Sequence, residues 1–159
     1  MRRPSSLLTL PLLVVLAGCG GGTPQLDVGS AQAAEPVSGA SQIALEITND
    51  GDGDDALVAA EADAALAVEI HITEVDDDGR ATMRELDEAE LPAGETVRFR
   101  PGGLHLMMIA PDDDVQVGGT FAVTLEFDRS DAVTVDVEVV DLLDLAEPDA
   151  TEEDLDPDA

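Results

Sequence analysis

Both histidines of the chain, and all three methionines beyond Met1, fall between residues 71 and 108: His71, Met83, His105, Met107 and Met108. Imidazole nitrogen is a borderline ligand and thioether sulfur a soft one, so together, with no thiolate nearby, they favour Cu(I). Four such ligands can surround one ion as a tetrahedron, if extended chain brings them together. Residues two apart on a strand share a face. His105 and Met107 therefore project together, and Leu104, Leu106 and Met108 project to the opposite, apolar side. That alternation assigns Met107 to the site and Met108 to the core. His71 lies on the face of Glu69 and Thr73, opposite Leu66, Val68, Ile70 and Ile72.

Met83 enters from the return strand of a hairpin. A turn over Asp76–Gly79, centred between Asp77 and Asp78, makes paired positions sum to about 155. His71 and Met83 sum to 154 and so lie within one residue of directly opposite. Directly opposed residues hold their Cβ atoms about 4.5–5.5 Å apart. The candidate set is then His71, Met83, His105 and Met107, two from each segment, holding one Cu(I) per domain.

The elements that must position these residues are strands. Gln42 to Thr48 alternates with Ile43, Leu45 and Ile47 on one face; Leu57 to Ala60 is a weaker run; Leu66 to Ile72 alternates cleanly. Thr82–Leu86, Thr96–Arg100, Leu104–Ile109, Phe121–Phe127 and Val133–Val139 follow, with turn signals about every 10 residues. No long stretch carries a helical period. The pattern predicts an all-β domain, a Greek-key sandwich of the cupredoxin-like or Ig-like kind. Asp50-Gly51-Asp52-Gly53-Asp54, with Glu61 twelfth, has a passing likeness to an EF-hand calcium loop. Asp55 stands where that loop requires glycine and no helices flank it, so it is read as a turn.

Composition removes several classes of function. Against 36 acids the chain has seven Arg and no Lys, for a formal charge of -29. Nucleic acid is excluded as a partner, and anionic lipid headgroups as a docking surface, because no basic face exists to neutralise phosphates. The acidity is read as a solvated surface. A serine hydrolase triad has no histidine left to it, and a four-ligand protein site leaves no open position for a substrate, so no enzyme is expected.

The start reads as a leader: Arg2-Arg3, an apolar run from Leu7 to Leu16, then Leu16-Ala17-Gly18-Cys19. Ten apolar residues are too few to span a bilayer. The last four resemble the bacterial lipoprotein cleavage box, which implies removal of residues 1–18 and a diacylglycerol on Cys19. With Arg2 and Arg3 gone, five Arg against 36 acids leave -31. Residues 19–40 are expected to be a flexible tether, 41–141 the folded domain, and 142–159 an acidic, disordered tail.

The spacing of the candidate ligands is specific. His71-Ile72, ten residues, Met83, twenty-one residues, then His105-Leu106-Met107 resembles the signature of the PCu(A)C periplasmic copper chaperones. So do Ile47-Thr48-Asn49-Asp50-Gly51, Leu91-Pro92-Ala93-Gly94 and Arg100-Pro101-Gly102-Gly103-Leu104. One departure is Ile72, where many members have Met; it lies on the core face and should not empty the site. The resemblance spans about residues 41–141. It implies a lipid-anchored, extracytoplasmic Cu(I) carrier that gives up its ion by ligand exchange, at the outer face of a bacterial membrane. It also implies delivery toward the dinuclear copper centre of cytochrome c oxidase, beside a Sco-type thiol protein. The rival expectation is an acidic Ig-like envelope lipoprotein that binds a protein partner and no metal.

Overall fold

The computed structural model describes residues 22–76 and 78–146. Cys19 and the leader, Asp77, and residues 147–159 lie outside the described part. Eleven strands and one short helix follow in chain order. They are β1 (Leu26–Val28), β2 (Ala31–Ala34), β3 (Ala40–Asn49), β4 (Asp55–Glu61), β5 (Ala65–Val75) and β6 (Ala81–Glu85). Then come β7 (Ala89–Leu91), β8 (Thr96–Phe99), β9 (Leu104–Pro111), β10 (Thr120–Phe127), β11 (Val133–Val140) and α1 (Leu142–Ala146).

The main path of pairing runs β6-β5-β9-β3-β2-β11-β10-β4-β7. A further pairing of β4 with β5, Ala60 opposite Val68, joins two strands far apart on that path. The sandwich expected from the alternation is therefore closed into a barrel. Closure removes most free strand edges, leaving β6 and β7 as flaps. Strand β3 changes partners along its length. Its first residues pair with β9 and β2, and from Leu45 onward it pairs with β8 and β1.

The core follows the period of two. In β3, every second residue from Ser41 to Asn49 is buried. Phe99, Ile43, Ile47, Leu57, Leu106, Met108, Leu125, Val123 and Val137 are fully enclosed. With few aromatics, the interior is built from branched aliphatics, each stabilising the fold by about 1.5–3 kcal/mol when buried. Leu66 departs from its expected place: it has the parity of Val68 and Ile70 but sits at the start of β5 and is 80% exposed.

Two boundaries differ from the sequence reading. Residues 26–28 and 31–34, expected in the flexible tether, are strands. Strand β2 runs parallel to β11 (Ala31 opposite Val137) and antiparallel to β3 (Ala33 opposite Ile43). Ala31, Ala33 and Ala34 are buried, on a strand held between those two neighbours. The pairing with β11 is long-range, so nothing local to that Ala- and Gly-rich stretch announces it. At the other end, Leu142–Ala146 of the expected tail form α1, with Leu145 buried.

Candidate metal centre

Strand β9 lies between β5 and β3, and its register with β5 builds the site. His71 is directly opposite His105, and Glu69 is directly opposite Met107. On the other side of β5, His71 faces Glu85 of β6 and Thr73 faces Met83. One face of this three-stranded patch thus carries Glu85, His71 and His105 in one row. Glu69 and Met107 form the next row, and Met83 and Thr73 lie on the other side. The opposite face holds the core pairs Ile70–Leu106 and Val68–Met108. Met108 is completely buried there, and Met107 is half-buried on the histidine face.

The two imidazoles meet edge to face, with ring centroids 6.0 Å apart. Each uses one nitrogen and leaves the other free. His71 Nε2 is 2.9 Å from Glu69 Oε2, and His105 Nδ1 is 2.9 Å from the Gly103 carbonyl oxygen. Carboxylates and carbonyls accept, so in each case the ring nitrogen donates its proton. That choice fixes both tautomers: the lone pairs sit on His71 Nδ1 and His105 Nε2. Both of these atoms are buried and have no hydrogen-bond partner among the described residues. A buried polar atom left unpaired costs about 1–3 kcal/mol. Two such atoms on directly opposed residues, each with its second nitrogen tied to an acceptor, leave two lone pairs chemically suited to a metal ion.

Electrostatics keep His105 in its ligand form. Burial pushes its pKa below the ordinary value, and the neighbouring His71 adds to the fall. The hydrogen bond to Gly103 opposes but does not reverse it. Burial thus favours the neutral imidazole, the form that metal binding requires.

The structure brings His71, His105 and Met107 into one patch, and places Met83 on the same face but further off. The hairpin register sums to 156, with Thr73 opposite Met83, so Met83 is diagonal to His71 and not within one residue of directly opposite. The difference comes from the turn. Asp76 N–H donates to the Arg80 carbonyl and Gly79 takes a positive φ of 79°, so the loop is one residue longer than the assumed pair. Met83 is 43% exposed, and all of β6 is exposed.

Sequence reasoning did not single out three groups around the imidazoles: Glu69 and the Gly103 carbonyl, which orient the two rings, and Glu85, which only faces His71 across the hairpin. The two-residue spacings Glu69–His71 and Gly103–His105 hold the signal for the first two. Glu85 needed the hairpin register.

Residues 25–139 match the LpqE-like family, a lipoprotein family by its description. The chain belongs to this family. A protein with a lipoprotein name, Lxx21020 of Leifsonia xyli subsp. xyli, is 33% identical over 97 residues, 60% of this chain. The uncharacterized protein RP573 of Rickettsia prowazekii is 34% identical over 84 residues, 52% of this chain. The matched stretches span only 58% and 46% of those two proteins. Among solved structures, the copper-bound PCuAC domain from PmoF2 superposes with a TM-score of 0.61 at 23% identity, covering 73% of this chain and 92% of that one. The solution structure of CuI-DR1885 from Deinococcus radiodurans gives 0.60 at 24%, covering 73% and 78%. At such identities these likenesses establish the fold, and the LpqE-like chain has the architecture of PCuAC domains.

Proposed function

We propose that this protein is an extracytoplasmic copper carrier, anchored by lipid on Cys19, with one Cu(I) as its cargo. The observation that carries the reading is the pair of buried, unpartnered nitrogens, His71 Nδ1 and His105 Nε2, on directly opposed residues. Met107, on the face of His105, supplies the first thioether. Met83 supplies the second by swinging in from exposed β6, which its three rotatable side-chain bonds permit. Neutral thioethers hold Cu(I) in preference to harder ions and release it to an acceptor rich in thiolates. An exposed Met83 gives that acceptor a ligand to displace first.

The family's lipoprotein character supports the anchor, and the copper-bound relatives in fold support the cargo. The acceptor we favour is the dinuclear copper centre of cytochrome c oxidase, reached directly or through a Sco-type thiol protein. Transfer is ligand exchange, with no bond of a substrate made or broken, so the protein acts as a chaperone and not as an enzyme. Competition for Cu(I) against a chromophoric chelator tests this. We expect one ion per protein and loss of tight binding in His71→Ala. Uptake of Cu(I) no greater in the wild type than in His71→Ala would refute it.

A further inference from the structure

His71 has acidic neighbours on two sides. Glu69 precedes it by two on β5, and Glu85 faces it from β6. One ligand atom from each of Glu69, His71 and Glu85 lies within 4.8 Å of the others. The group is more than surface acidity, because its imidazole is only 14% exposed and already turns Nε2 to the Glu69 carboxylate at 2.9 Å. We infer that Glu69, Glu85 and His71 Nε2 form a second metal site, for a borderline divalent cation of the Zn(II) class, which competes with copper for His71.

The chemistry differs from that of the copper face. Two carboxylates and one imidazole suit a divalent ion and leave a position for water. Two zinc bonds of about 2.0–2.2 Å at a tetrahedral angle span about 3.3 Å. A small outward shift of Glu69 would therefore let an ion replace the proton now shared with Nε2. Glu85 is exposed and free to close from β6. The strong negative charge of the chain concentrates divalent cations around it.

Competition follows from the imidazole itself. A neutral ring has one lone pair. With Nε2 bound to a divalent ion, the ring proton sits on Nδ1, the atom that the proposed copper site needs. The two ions thus select opposite tautomers of His71, and occupancy of one site empties the other. The copper half of this statement rests on the carrier reading above; the zinc half does not.

The decisive experiment titrates copper-free protein with Zn(II) against a chromophoric zinc chelator, in wild type and in Glu85→Gln. Glu85 is exposed and outside the copper set, so this variant keeps the fold and its Cu(I) affinity. We expect one Zn(II) per wild-type protein above the weak background of surface carboxylates, and binding weaker by about tenfold or more in Glu85→Gln. Addition of Cu(I) should release that zinc. Equal Zn(II) affinity in the two proteins, or zinc and Cu(I) held together, would overturn the inference. A wild type that binds Zn(II) through Glu85 and takes no Cu(I) would overturn the carrier reading while leaving the divalent site standing.

Discussion

Two groups of polar side chains in this barrel differ in what they leave unpaired. One is the knot of Asn49 and Asp55, where β3 ends and β4 begins. Asn49 Oδ1 accepts from the backbone N–H groups of Gln25 and Gly51, and its Nδ2 donates to the carbonyls of Gly53 and Leu91. Asp55 Oδ1 accepts from the N–H groups of Ala56 and Arg129, and Oδ2 accepts from the Ser130 hydroxyl. Every side-chain polar atom there has a partner. The other group is His71 and His105, each with one nitrogen satisfied and one buried and empty-handed. Burial of polar groups is common to both. The difference is that the first network is complete within the chain, and the second leaves one nitrogen on each ring without a partner among the described residues.

The contrast also explains the Asp- and Gly-rich turn after Asn49. Its glycines admit the N-terminal segment: a Cβ on Gly51 would stand 2.3 Å from the Thr23 carbonyl oxygen, and one on Gly53 would stand 2.1 Å from that of Gly22. The turn is built to be packed against, with the Asp52 and Asp54 carboxylates accepting from the backbone N–H groups of Thr23 and Ala93. This agrees with reading it as a turn and not as a calcium loop.

The comparison is broken most severely by changing a proposed ligand beside the open group, Met107, on the histidine face. Met107→Leu keeps volume and removes the sulfur. We expect Cu(I) affinity to fall by more than about a hundredfold, above the range of about 10–100-fold for loss of an outer partner. Stability should change by less than about 1.5 kcal/mol. Chelator competition and thermal melts check the two halves.

The mirror image is Asn49→Ala in the closed group. It strands the Gly53 and Leu91 carbonyls and two N–H groups, and each buried unpaired group costs about 1–3 kcal/mol. A loss of about 2–4 kcal/mol in denaturant unfolding, with Cu(I) affinity unchanged in the folded fraction, is the expected outcome.

Asp55→Asn sharpens the comparison through pH. Burial tends to raise the Asp55 pKa, but its hydrogen bonds from Ser130, Ala56 and Arg129 prevail and hold it below the ordinary 3.8. A carboxylate whose folded pKa is lowered adds stability that is fully present above the unfolded value and lost as pH falls through the folded one. Asp55→Asn should therefore cost about 1–3 kcal/mol at neutral pH. The gap from wild type should narrow only below about pH 3.8. Parallel melts of the two proteins across that range measure it. The smallest effect belongs to Met108→Leu, a swap in the core beside Val68 that should leave copper binding intact and cost under about 1.5 kcal/mol.

Much of this was legible in the chain. Alternation placed His105 and Met107 on one face, Met108 on the other, and His71 with Glu69 opposite Ile70, because a period of two needs no tertiary information. Barrel closure was not legible, since Ala60 and Val68 carry no mark of pairing. Nor was β2, which is held between its near neighbour β3 and a strand over a hundred residues away, β11. The Met83 register turned on one extra loop residue, a difference that turn composition alone leaves open. The free nitrogens were beyond reach too: the sequence shows a histidine but not which of its two nitrogens already has a partner.

The claim that the open group is a Cu(I) site is tested most directly by X-ray absorption on the protein loaded with one Cu(I). The account predicts a first shell of mixed nitrogen and sulfur, with the outer scattering of two imidazoles, and loss of part of the sulfur shell in Met107→Leu. A first shell of nitrogen and oxygen alone, with no sulfur, would contradict it.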